Sequence, residues 1–237
     1  MKTALLAVMV LGGVSACSGV TNLDPVDYAL TSRSATGAAL SSNGWNVTLD
    51  EARVGFGPLY VCASVSASPE FCETAVAEFA DVAAIDLRAT APVEVGRIRG
   101  VSDTVHSALY DYGITWRAGS VSKPAAAAPE GHSLIMRGAA TSAAGNGNVR
   151  FEILVDAVPL QPGSYAVLAR IPEKPQSSRI RLELVFDPGV WLGKLDFARL
   201  AGQPQPVVLT AADPMGNAIA TALMSDARPT FTWIDVP

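Results

Sequence analysis

Histidine is nearly absent: His106 and His132 are the only two in 237 residues. Any imidazole chemistry would have to run through one of them. The chain also lacks a P-loop, a G-x-G-x-x-G turn, an H-E-x-x-H pair and a D-x-D-x-D-G calcium loop, which removes the nucleotide, zinc-hydrolase and calcium sites those patterns build. Gly163-Ser164 follows Pro162 and does not form the G-x-S-x-G elbow that exposes a serine nucleophile. Carboxylates are present but scattered, so a glycosidase-like acid and base can be brought together only in space. No cluster of Lys and Arg stands out from a net charge of −5, which argues against nucleic acid as a partner. Past the N-terminus, no stretch is long and apolar enough to read as a membrane span.

The N-terminus is where the sequence is most explicit. Lys2 supplies one positive charge, and Leu5 to Val14 is apolar apart from Gly12 and Gly13. That run is about half of the ~20 residues a spanning helix needs, and so reads as a signal-peptide core. It closes on Val14-Ser15-Ala16-Cys17: small residues for a peptidase, then a cysteine at the first mature position. The segment resembles the lipobox of bacterial lipoproteins. The resemblance implies a thioether-linked diacylglycerol on Cys17, cleavage before it and N-acylation. Ser18 in place of aspartate implies sorting to the outer membrane, facing the periplasm or the cell surface. Each buried methylene is worth about 0.8 kcal/mol, so two or three acyl chains hold a protein durably.

Removal of residues 1–16 takes Lys2 with it and leaves 221 residues, with 16 basic and 22 acidic side chains. With Cys17 lipidated, Cys62 and Cys72 remain, and in an oxidising compartment they are expected to pair. A loop this short gives about 3 kcal/mol in the chain-entropy treatment. A metal pair is the rival, but neither histidine is near and no C-x-x-C occurs.

Residues 17–43 are rich in Ser, Thr, Ala and Gly without a sustained period, and read as a lipidated cysteine followed by a flexible tether. Within it only Val26, Tyr28 and Leu30 suggest a strand. Residues 44–237 read as a single β domain. Trp45, Val47 and Leu49 alternate with polar residues, and the apolar parity then shifts to Ala52, Val54 and Phe56, as a bulge near Asp50-Glu51 would cause. Ser68-Pro69-Glu70 predicts a helix start with Cys72, Val76 and Phe79 on one face. Leu134–Ala140 and Val149–Ala157 flank a Gly145-Asn146-Gly147-Asn148 turn, the clearest hairpin. Further alternation marks Tyr165–Ile171 and Ile180–Phe186; Asp213-Pro214 opens a helix bearing Ile219, Ala222 and Leu223, and Phe231 and Trp233 lie on a last strand. The expected fold is all-β, an antiparallel β-sandwich with two or three short helices.

The best positive feature for function runs from Val105 to Trp116. On a regular strand His106, Tyr110, Tyr112, Ile114 and Trp116 share one face, with Asp111 and Arg117 at its margins. Such a row can stack a sugar or a flat ligand; the same row is also what a sandwich core looks like. His106, His132, Met136, Met215 and Met224 are the available soft or imidazole metal ligands, and no Met-rich tract occurs.

The stretches GWNVTLDEARVGFGPLYVC (44–62), SALYDYGITW (107–116) and ARPTFTW (227–233) resemble uncharacterised lipoproteins of myxobacterial type. The resemblance implies the same β-rich exported domain and carries no functional residue with it. The expected function is a membrane-anchored, non-catalytic module holding an envelope protein or a small ligand, with no cofactor. A metal or small-molecule carrier using the His106–Trp116 strand, or a hydrolase of envelope glycans, are the alternatives.

Overall fold

The structure, a computed structural model, describes residues 23–64, 75–115, 123–125, 127–158, 167–225 and 228–237. The expected signal segment, Cys17, Cys72, Trp116 and Arg117 lie outside the described residues. In chain order the first strands are β1 (Pro25–Ser34), β2 (Ala39–Ser42), β3 (Trp45–Phe56) and β4 (Leu59–Cys62). They are followed by β5 (Ala75–Phe79), β6 (Ala83–Asp86), β7 (Val93–Val101) and β8 (Thr104–Tyr110), then the two-residue strands β9 (Ile114–Thr115) and β10 (Lys123–Pro124). A 3-10 turn at Pro129–Gly131 leads to β11 (Leu134–Ser142), β12 (Asn148–Val155), β13 (Val167–Pro175) and β14 (Ile180–Phe186). The chain closes with α1 (Pro188–Leu192), α2 (Phe197–Leu200), β15 (Val207–Thr210), α3 (Pro214–Met224) and β16 (Thr230–Asp235).

The fold is mostly β with three short helices, built on two large sheets. The first has eight strands in the order β13-β8-β4-β5-β7-β1-β14-β16. It curls until its two outer strands meet through side chains. Trp233 Nε1 donates to Pro172 O at 2.7 Å, Lys174 Nζ pairs with Asp235 at 2.6 Å, and Arg228 Nη1 donates to Leu168 O at 2.8 Å. An eight-stranded barrel has an interior that side chains can fill, and here Tyr28, Leu30, Val61, Ile98, Tyr110, Leu182 and Phe231 fill it. The second sheet runs β15-β12-β11-β3-β2, with β6 also paired to β3. Its inner face packs on the helices, where Trp191, Phe197, Ile219 and Leu223 are buried. Pairing is not purely antiparallel as expected: β1·β14 and β12·β15 are parallel. These pairs are joined by long stretches of chain and not by hairpins, so nothing forces the antiparallel sense.

Local sequence signals decide several elements. The hairpin β11–β12 forms as expected, with Val149, Phe151, Ile153 and Val155 buried. The parity shift in β3 is a bulge: Leu49 faces Gly138 and Glu51 faces Arg137, leaving Asp50 as the extra residue. α3 buries Ile219, Ala222 and Leu223. Its N-cap Asp213, however, does not cap through its side chain; the carboxylate instead accepts from Thr210 N at 2.9 Å.

Two expectations are overturned. The segment expected to be tether contains β1, a ten-residue strand hydrogen-bonded between β7 and β14. Val26, Tyr28 and Leu30 mark its first half, as expected, but its second half buries the small polar residues Ser32 and Ser34, which no apolar period marks. The helix expected to carry Val76 and Phe79 is instead β5, with Ala77 and Phe79 inward and partners on both sides in β4 and β7. Apolar residues two, three and four apart suit either period, and sheet pairing decides. The expected N-cap at Ser68 lies outside the described residues.

Candidate binding surface

The aromatic row expected to lie along one strand is divided. Regular strand β8 ends at Tyr110, and Tyr112 follows in the connection to β9. Both rings are fully buried, edge to face at 5.5 Å between centroids, and Tyr110 also packs on Phe56 at 5.1 Å and Phe231 at 5.7 Å. Backbone bonds hold this turn against β3 and β4: Gly57 N donates to Asp111 O, Asp111 N to Pro58 O and Gly113 N to Gly57 O. The crossing is close. A Cβ on Gly55 would stand 3.3 Å from Gly113 Cα, and Gly113 sits at φ +70°, a conformation glycine adopts without penalty. Asp111 is buried as well. His106 lies apart from the rings, half-buried, with Nδ1 3.5 Å from Glu173 Oε2. Ile114 is core, and Trp116 is outside the described residues. The tyrosines therefore belong to the core, and the row does not form a stacking platform with His106.

Neither Tyr110 nor Tyr112 finds a hydrogen-bond partner for its hydroxyl, although each is the other's polar neighbour. Burial raises both phenols above their ordinary value, because an apolar surrounding disfavours the phenolate.

The other expected residues also separate. Cys62 is buried at the end of β4; its expected partner Cys72 and Cys17, expected to carry lipid, are outside the described residues. His132 Nδ1 lies 3.2 Å from Asp156 Oδ1, which also accepts from Ser133 N at 3.1 Å. Met136 is buried in the core and Met215 and Met224 pack against it. Among the described residues, no three His, Cys, Asp or Glu side chains gather as a metal set.

What the structure does assemble is an ionic network on the outer face of the second sheet. Arg137, on β11, donates from Nε to Glu152 of β12 at 2.6 Å, from Nη2 to Glu130 at 2.8 Å, and from Nη1 to both Glu130 and Glu51. Arg53 of β3 donates from Nε to Glu51 at 2.8 Å and reaches Glu130 at 3.4 Å. Glu130 is delivered by a left-handed turn: it sits at φ +46° and Gly131 follows at φ +80°. For a residue with a Cβ that conformation costs about 1–2 kcal/mol. The guanidinium of Arg137 lowers the pKa of Glu51 and of Glu130 from the ordinary carboxylate value, with Arg53 adding to it.

Beside the network runs an open groove of about 450 Å³, lined by Asp50, Arg137, Gly138, Arg150, Glu152 and Pro206 among others. At Gly138 a Cβ would stand 2.2 Å from Thr48 O; the bulge brings the two strands that close. Arg137 is saturated by carboxylates. Arg150 is not: its side chain is 69% exposed and only 4.0 Å from Asp50, so its guanidinium remains open to a ligand.

Sequence reasoning missed this face. One signal was available: the Gly-Asn-Gly-Asn turn sets the hairpin register, and that register places Arg137 directly opposite Glu152. Nothing in the sequence brings Glu51 and Glu130 to the same arginine.

No family model matches the chain, and no curated protein matches it. Among solved structures the chain is similar to MbnP from Methylosinus trichosporium, at 14% sequence identity and a TM-score of 0.44, over 91% of this chain and 99% of that one. A likeness of this size adds nothing to what the strands themselves establish.

Proposed function

We propose that this protein is an exported, lipid-anchored binding module, without catalytic activity, that holds a small anionic ligand in the groove beside the ionic network. The open guanidinium of Arg150 carries the reading. It lies in a preorganised groove where the other arginine is already satisfied, and an exposed, planar donor fork suits a carboxylate or phosphate oxygen pair. The anchor rests on the apolar run and Cys17, and the disulfide on Cys62 and Cys72.

The hydrolase alternative is disfavoured by the same geometry. A general acid at neutral pH needs a carboxyl whose pKa is raised, whereas Arg137 and Arg53 lower those of Glu51 and Glu130. The carrier alternative needed His106 and the tyrosines on one surface; His106 reaches Glu173 while the tyrosines are core.

Native mass spectrometry of the mature protein from its own host tests the reading. We expect added mass of a small ligand that Arg150→Ala reduces about tenfold or more in occupancy, the loss expected for a charge-assisted pair. Identical ligand-free spectra for both proteins would refute it. Cys17→Ser should abolish processing and membrane partitioning; unchanged partitioning would refute the anchor.

A further inference from the structure

We propose that the end of the barrel opposite the second sheet rests on a zwitterionic phospholipid headgroup layer, so that the ionic face and its groove point away from the membrane. The proposal rests on the anchoring at Cys17 argued above.

The strand register defines that end. Pro25 of β1 pairs with Val101 of β7, Ile180 of β14 pairs with Asp235 of β16, and Pro175 of β13 pairs with Thr104 of β8. Among the described residues, one rim of the barrel is thus made by Leu23, Asp24, Ser102, Asp103, the 176–179 turn and the 235–236 segment. At the other end, β1 leaves the barrel beyond Ser34 to form β2, and β3 enters from the second sheet at Phe56 to become β4. The second sheet therefore lies at the end away from the rim.

The covalent reach from the anchor is short. Six Cα steps join Cys17 to Leu23, and six residues fully extended span at most about 22 Å. The ten residues of β1 alone rise about 33 Å. The entry point is also clamped: Asp24 N donates to Ser102 Oγ at 2.9 Å and Ser102 N to Asp24 O at 2.7 Å. The rim is accordingly the part of the domain held nearest the lipid.

The rim's chemistry suits a headgroup layer. Leu23 (41% exposed) and Val236 (42%) are two of the five exposed large hydrophobic residues among those described. Val236 N is held by Arg179 O at 2.8 Å. Asp24, Asp103 and Asp235 are interspersed with Lys174 and Arg179. Mixed signs at nearly balanced charge match headgroups that carry both an ammonium and a phosphate, and avoid the repulsion that one sign would bring.

The test uses the full lipidated protein in vesicles of phosphatidylcholine and phosphatidylethanolamine doped with a headgroup nitroxide. A fluorophore is placed through a bio-orthogonal side chain at Ser178 on the rim, or at Thr141 at the far end of β11. We expect the vesicles to float the protein and the nitroxide to quench Ser178 severalfold more than Thr141. Flotation with equal quenching, or with Thr141 quenched more, overturns the orientation and leaves the anchor intact. Failure to float, or flotation of Cys17→Ser to the same extent, overturns the anchor and the orientation together.

Discussion

The barrel interior and the outer face of the second sheet treat polar atoms in opposite ways. Inside, the hydroxyls of Tyr110 and Tyr112 are buried without a hydrogen-bond partner, held by rings that pack on Phe56 and Phe231. Outside, Arg137 meets three carboxylates, yet every member of that group keeps 24–48% of its side chain exposed. The interior tolerates an unsatisfied hydroxyl because the apolar area around it outweighs the loss. The face satisfies its donors, but water screens the gain, so exposed pairs contribute little each. Stability therefore resides in the barrel, while the face holds the Glu130 turn against β3 and β11.

The largest expected effect probes the interior. Phe56 touches Tyr110 from one side and Phe186 from the other and is fully buried. Phe56→Ala should cost about 4 kcal/mol in denaturant unfolding, the range for an aromatic-to-alanine cavity. A loss below about 1 kcal/mol would mean that the barrel is not the stabilising region.

A smaller effect is expected outside. Arg137→Met should cost about 1 kcal/mol at neutral pH, and its signature is acid dependence. Glu51 and Glu130 have lowered pKa values in the fold, so their contribution is present above the ordinary value of 4.5 and is lost as pH falls through the lowered ones. The wild type should lose stability on acidification below that value, and Arg137→Met should lose less. Parallel acid titrations of the two proteins would break the assignment.

The smallest effect sharpens the contrast. Tyr110→Phe removes a hydroxyl that has no partner, so at neutral pH it should be neutral or stabilising by up to about 1 kcal/mol. The buried phenols have raised pKa values. Their contribution is complete below the ordinary value of 10.0 and is lost as pH rises through the raised one. Alkaline unfolding should shift upward in Tyr110→Phe, while acid unfolding should not move. The two regions thus fail at opposite ends of the pH scale.

Much of the second sheet was legible in the sequence. The β11–β12 hairpin follows from its Gly-Asn turn and clean alternation, and the β3 bulge from one change of parity. Both are local signals, carried by residues that pair with near neighbours in sequence or shift a period of two. The first sheet was less legible. β5 carries apolar residues at spacings that fit a helix equally well, and β1 buries serines that composition assigns to solvent.

The candidate site was legible only in fragments. Tyr110 and Tyr112 stood out as aromatic, but whether a ring faces ligand or core depends on what β3 and β16 bring against it. Arg137 and Glu152 could be paired from the hairpin alone; Glu51 and Glu130 could not.

By itself, the sequence determined the β-rich character, the hairpin, the bulge and the closing helix, because each is set by side-chain period and turn chemistry within a few residues. The tertiary structure alone decided the near-closure of the barrel, the burial of the tyrosines and the gathering of three carboxylates on Arg137. Arg137 and Glu51, for example, stand 86 positions apart, and no local pattern records which distant strand will lie alongside.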